Sequence, residues 1–369
     1  MSMNPPDCTL VTACFNLTKF HKGTFDTEKI ITNTKTTVAM PCYMVWYVDE
    51  ETYPIIEKGR RENGLSELTK IHVVKYEDLW CSQFTEKVKS NREIYWPTRD
   101  ARTCAESHLL VLNKFDFVLN VINENPFKTS KFGWIDSFVG VNARKICEDY
   151  THDLLLTVLK NITDKFHIQI MNVTDKKYKL PENKKEFYKV YRCIVCGSFF
   201  ACGRDIGLKI LTRLKQISVE TTMMGYGHGE EAMYLDVLDE FYDDIHRGYG
   251  DYGQILNNII RPLRNINYIN HFILKNYIAH RYYREAYDCS AILLEQIDRE
   301  EVKVDASIQM DILYANYVSA YYHRPVKAIE ILSQIRNKLE RSESLKNVYL
   351  QRKDFYETQF DYIKYLKQT

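Results

Sequence analysis

Cys8–Phe15, CTLVTACF, is an apolar, β-branched run that gives way at once to the polar stretch Asn16–Lys22. That pattern reads as a buried strand with a loop at its carboxyl end. Working outward, Thr24–Thr34 has helical patterning, Met40–Val48 (MPCYMVWYV) is a second buried strand, Thr52–Glu62 a helix and Ile71–Lys75 a third strand. Strands alternating with helices from the start predict a largely parallel sheet covered on both faces. In such a sheet ligands sit outside the carboxyl ends of the strands.

Further along, Asp100–Glu124 is the clearest helix of this half, with Ala105, Leu109, Leu112, Phe115, Val118, Leu119 and Ile122 at three- and four-residue spacing. Asn125-Pro126 stops it, and Phe132–Ile135 is a short strand ending on Asp136. Ile168–Val173 and Lys189–Phe200 are the next strands, Gly203–Gly207 a chain break, and Leu208–Glu220 and Glu230–Leu238 helices. From Pro262 glycine disappears and five amphipathic helices follow: Ile266–His280, Tyr283–Asp298, Ala306–Tyr322, Pro325–Leu339 and Val348–Leu366. REAYDCSAILLEQI and VKAIEILSQI, in the second and fourth of these, are weakly self-similar, which suggests stacked hairpins of tetratricopeptide-like type. The expected organisation is two domains, 1–261 and 262–369.

Lys+Arg and Asp+Glu balance at 50 against 49, which argues against a general nucleic-acid binder. No run approaches the roughly 20 apolar residues that span a bilayer, and Met1–Asp7 has neither the basic nor the apolar region of a signal peptide. The expectation is a cytoplasmic protein whose sequons at Asn16, Asn161 and Asn172 stay unmodified and whose ten cysteines stay reduced. Cys193 and Cys196 form a C-x-x-C inside an apolar run without a second pair, half a metal site, and read as thiols.

Three segments carry candidate chemistry. Asp136 stands at the edge where a substrate would lie; a carboxylate there binds a divalent metal that neutralises a diphosphate, or else caps a turn. In Cys196–Asp205, CGSFFACGRD, glycines bracket two aromatics and permit close approach of backbone to a ligand, or a strand with glycine bulges. In Met224–Tyr234, MGYGHGEEAMY, Glu230 and Glu231 open a helix, as macrodipole partners or as a general base, and His228 ligates a metal or fills the loop. Asp251 in Tyr249–Tyr252 closes the site or caps the following turn. Cys196–Asp205 matches neither GxGxxG nor the P-loop pattern, and the chain lacks G-x-S-x-G.

Taken in order, TLVTACFNL (Thr9–Leu17), the helix and stop Glu106–Phe127 with FKTSKFGWIDS, Cys196–Gly203, GEEAMY (Gly229–Tyr234) and YGDY (Tyr249–Tyr252) resemble the HtrL/YibB-like family of glycosyltransferases of GT-A fold. The resemblance spans Thr9 to Asn258. It implies a Rossmann-type α/β domain that takes a nucleotide-diphosphate sugar, of UDP-sugar type, and passes the sugar to an acceptor hydroxyl on a glycan. Asp136 would play the part of the D-x-D acid and hold manganese or magnesium. Thr12, Ala13, Phe15 and Asn16 would line the nucleotide pocket, Lys114 and Trp134 would reach the donor, and Glu230 or Glu231 would face the acceptor or the sugar ring. Trp134-Ile-Asp136 departs from two acids flanking one residue, and His228, His246 and His271 all stand open as a second metal ligand. The C-terminal helices are not explained by the family core. They imply a protein partner or self-association, and a non-catalytic interaction protein is the alternative reading.

Overall fold

The computed structural model describes residues 5–95, 103–140, 145–146 (backbone only), 150–190, 192–226 and 229–356. The chain divides into two compact units, Met1–Met171 with Lys177–Arg261, and Asn172–Lys176 with Pro262–Thr369.

In the first unit the strands are β1 (Cys8–Cys14), β2 (Tyr43–Val48), β3 (Thr69–Val73), β4 (Lys131–Ile135), β5 (Val139–Gly140), β6 (Lys145–Ile146), β7 (Phe166–Ile170), β8 (Val195–Gly203) and β9 (Ile245–Tyr249). The helices are α1 (Thr27–Val38), α2 (Tyr53–Glu62), α3 (Thr85–Ile94), α4 (Ala105–Leu112), α5 (Lys114–Glu124), α6 (His152–Lys160), α7 (Lys184–Tyr188), α8 (Arg204–Met223) and α9 (Tyr234–Glu240). Seven strands form one sheet in the order β3-β2-β1-β4-β8-β7-β9, and β5 pairs with β6 apart from it. β8 runs against β4 and β7, and the other pairings within the sheet are parallel. Leu10, Met44, Trp46 and Ile135 meet Ile30 and Val38 of α1, Ile56 of α2 and Leu155, Val158 and Leu159 of α6 in one core. α5 and α8 pack on one another and against β4, with α5 also on β1.

The chain steps outward from β1 to β2 to β3, then returns to place β4 on the other side of β1. The gap between β1 and β4 is therefore where the winding reverses, the position at which open α/β sheets leave a crevice beyond their strand ends.

Several boundaries differ from the sequence reading. The helix expected over Asp100–Glu124 is two helices broken at Asn113, whose side chain turns away to accept the Cys81 backbone N–H at 3.1 Å. Residues 100–102 of the expectation lie outside the described residues. The strand expected at Lys189–Phe200 starts at Val195 and runs to Gly203, and α8 follows with no break. Gly207 lies inside that helix because a Cβ there would stand 2.7 Å from Cys202 Sγ and 3.1 Å from Ile122. Glycine here serves close packing of helix on strand, not chain breaking.

In the second unit α10 (Ile266–Tyr268) runs through a π-helical stretch (Ile269–Leu274) into α11 (Lys275–Ala279). There follow α12 (Tyr283–Asp298), α13 (Ala306–His323), α14 (Pro325–Arg341) and α15 (Glu343–Gln351). α13 is the hub, packing against α12, α14 and α15, with Met310, Leu313, Tyr317 and Ala320 meeting Ala328, Ile331, Ile335 and Leu345. The helix expected from Val348 starts earlier, at Glu343, where Ser342 caps it. No described helix is long and apolar enough to cross a membrane.

Candidate functional site

The carboxyl ends of β1, β2 and β3 open onto a pocket of about 170 Å³. Its walls include Phe15 and Asn16 after β1, Asp49, Glu50 and Glu51 after β2, and Lys75 and Tyr76 after β3. Asp49 shapes it. One of its oxygens accepts the Asn16 backbone N–H at 2.7 Å, and the other accepts both the backbone N–H and the hydroxyl of Thr52 at 2.8 Å. Asn16 in turn donates its amide to Glu51 at 2.7 Å. The loops after β1 and β2 are thus tied through charge-assisted bonds before any ligand arrives. Tyr76 hydrogen-bonds Thr85 at 2.9 Å, and burial holds its phenol above the ordinary value. Lys75, exposed at the rim, forms no ion pair among the described residues.

Beside this pocket, across the reversal of strand order, a second cluster forms around one ammonium. Lys114 is the first residue of α5. Its Nζ lies 2.8 Å from Glu230 Oε1, 2.9 Å from the Gly197 carbonyl and 3.4 Å from Asp136 Oδ1, and 5.3 Å from the centre of the Trp134 ring. Trp134 donates its indole N–H to the same Asp136 oxygen at 2.7 Å. Asp136 itself is anchored by its backbone N–H to the Ser198 carbonyl at 2.9 Å. Glu231 accepts the Gly197 N–H and the Tyr252 hydroxyl, each at 3.0 Å. Because β8 is reversed, the start of that strand reaches the edge where its neighbours end, which brings Gly197 into the cluster. The lack of a side chain at Gly197 leaves room for the Glu230 carboxylate, which a Cβ there would displace.

The residues singled out from sequence therefore separate into groups. Phe15 and Asn16 line the pocket, whereas Thr12 and Ala13 do not. Thr12 is fully buried in mid-strand opposite Trp46, and its hydroxyl has no hydrogen-bond partner among the described residues. Lys114, Trp134, Asp136 and Glu230 converge, with Glu231 next to them. The two glutamates are not solvated macrodipole partners; both are buried. Asp251 caps the turn Tyr252–Gln254, and it is Tyr252 that reaches the cluster. Gly197 is one of the two glycines the sequence marks for close approach, whereas Asp49, Glu51 and the Tyr252 hydroxyl carry no role in the sequence reading. Asp49 carried the same signal as Asp136, an apolar strand ending on an acid.

A divalent metal does not fit the described residues. Asp136 Oδ1 is already occupied by two donors and Glu230 Oε1 by the ammonium. Among the described residues no group of three or more His, Cys, Asp or Glu could hold an ion. His228 lies outside them. His246 stacks on His167 at 4.5 Å within the sheet, and His271 belongs to the second unit.

The family profile HtrL_YibB, described as bacterial proteins of unknown function, matches residues 6–214. No curated protein matches the chain. Solved structures that overlap it include the following two. Mouse xyloside xylosyltransferase 1, apo form, is 9% identical with a TM-score of 0.35, over 65% of this chain and 84% of its own. The 4-diphosphocytidyl-2C-methyl-D-erythritol synthase of Anaerococcus prevotii DSM 20548 is 11% identical with a TM-score of 0.33, over 75% of this chain and 96% of its own.

Proposed function

The chain belongs to the HtrL_YibB family, and from that premise we propose that it is a glycosyltransferase of GT-A type. It would move a sugar from a nucleotide-diphosphate donor, of UDP-sugar type, to an acceptor hydroxyl on a glycan. The observation that carries this reading is the pairing, at the point where strand order reverses, of a pocket at the ends of β1–β3 with a carboxylate, Asp136, at the end of β4.

The nucleoside occupies the pocket against Phe15 and Tyr76, and Lys75 at the rim faces the diphosphate. The sugar extends toward Asp136, the member of the charged cluster that is open to solvent, with 21% of its side chain exposed against 2% for Lys114 and 7% for Glu230. In the transfer the acceptor oxygen bonds to the anomeric carbon, the bond from that carbon to the diphosphate breaks, and the electron pair leaves with the diphosphate. Asp136 takes the acceptor proton, general-base help worth typically about 10²–10⁴-fold. Glu230 and Glu231 act from behind it.

The test is release of free nucleotide from a panel of UDP- and GDP-sugars, with and without manganese, by wild type and Asp136→Asn at equal melting temperature. Loss of roughly 100-fold or more in rate is expected. Equal turnover would remove Asp136 from the chemistry. No turnover and no donor binding by wild type would favour an interaction protein acting through its C-terminal helices.

A further inference from the structure

All three protons of the Lys114 ammonium have an acceptor within the chain: a carboxylate on one side, a carboxylate on the other, and the Gly197 carbonyl. To contact a donor phosphate it would have to release one of them, leaving a carboxylate of the cluster or the Gly197 carbonyl without its donor. We propose that Lys114 is a positioning residue, which keeps Asp136 and Glu230 ionised and fixed as a pair and makes no contact with the donor. This rests on the transferase reading, with Asp136 as the group that meets the substrate.

Two carboxylates sharing one dry site oppose each other's ionisation, and burial opposes it further. Glu230, 7% exposed, could not stay charged there without a counter-charge within bonding distance. Lys114 supplies it, and by reaching Asp136 as well it lends the same charge to the one carboxylate open to solvent. The surroundings are built to hold the ammonium in place. The interruption at Asn113 makes Lys114 the first residue of α5, Trp134 lies under it, and the glycine at 197 lets backbone and Glu230 approach together. The Trp134 indole and the ammonium both end on Asp136 Oδ1, so that oxygen is held from two directions.

Three measurements on the full chain test the assignment. In ¹³C-carboxyl titrations, Lys114→Met should raise the Asp136 pKa by about one unit or more, the size expected when an opposite charge within a few Å is lost. By calorimetry the variant should bind UDP within about threefold of wild type while kcat falls on the order of 100-fold, the signature of a group acting on the reacting residue and not on binding. In Lys114→Met/Glu230→Gln the stranded charge is gone, so the melting temperature should recover while turnover stays low. An unmoved Asp136 titration overturns the proposal. So does UDP affinity falling by the same factor as turnover, which would make Lys114 a donor contact. Wild type that neither binds nucleotide nor transfers sugar defeats the transferase reading instead, and the titration still decides what Lys114 does to Asp136.

Discussion

β2 and β4 each end on an aspartate after an apolar run, Val48-Asp49 and Ile135-Asp136, yet the two carboxylates have different surroundings. Asp49 spends its oxygens on backbone and hydroxyl donors from Asn16 and Thr52. Asp136 is held by side chains, Trp134 and Lys114, and remains partly open. An acid that ties two loops together is a construction element. An acid pinned at one oxygen beside a buried cation is a poised charge. Strand-end position alone does not distinguish them; the identity of the donors does.

Exchange of roles is the sharpest way to break this contrast. Asp136→Asn should lose about 100-fold or more in turnover, some 2.7 kcal/mol, with chemical denaturation unchanged. Asp49→Ala should show the reverse emphasis. It strips a charged acceptor from three donors, and urea unfolding should report a loss of about 2–3 kcal/mol along with weaker nucleotide binding. If both variants lost only activity, or both only stability, the distinction would fail. Gly197→Ala sharpens the comparison on the Asp136 side. The added methyl must displace the Glu230 carboxylate, at a cost of roughly 1–3 kcal/mol, and turnover should fall while the Asp49 pocket still binds UDP.

A pH-dependent effect belongs to the sheet behind both sites. His167 is buried, stacked on His246, and its Nε2 accepts the Thr163 N–H at 3.0 Å. Burial first, then the neighbouring His246, pushes its pKa from 6.5 down to about 3. The unfolded chain therefore binds a proton that the folded chain refuses between those values, and stability falls with pH below 6.5 by roughly 1.4 kcal/mol per unit. His167→Gln should flatten that slope relative to wild type in melts from pH 6.5 to 4.

Much of the fold was legible in the residues. Hydrophobic runs located β1, β2 and β4, because a strand buried on both faces leaves an unbroken apolar signature, and the acid after β4 stood out for the same reason. Asp49 carries the same signature, an apolar strand ending on an acid. What could not be read was long-range. Asn113 interrupts a helical pattern that continues in period on both sides, because its side chain answers a backbone donor 32 positions away. Gly207 reads as a breaker until its neighbour Cys202 is known. Tyr252 is one tyrosine in a turn, and only the fold brings its hydroxyl to Glu231.

Trp134 gives the site a spectroscopic handle. Its indole N–H ends on Asp136, its ring lies 5.3 Å from the Lys114 ammonium, and it stands nearly parallel to Phe117 at 6.4 Å. Trp46 is sealed in the core and Trp80 lies beneath Lys215, remote in sequence from the cluster. Indole emission responds to the charges around the ring, so protonation of Asp136, or a sugar settling against it, should shift the Trp134 contribution while Trp46 stays constant. A Trp134→Phe difference spectrum would isolate that contribution, making ligand arrival at this edge of the sheet visible in stopped-flow without a label.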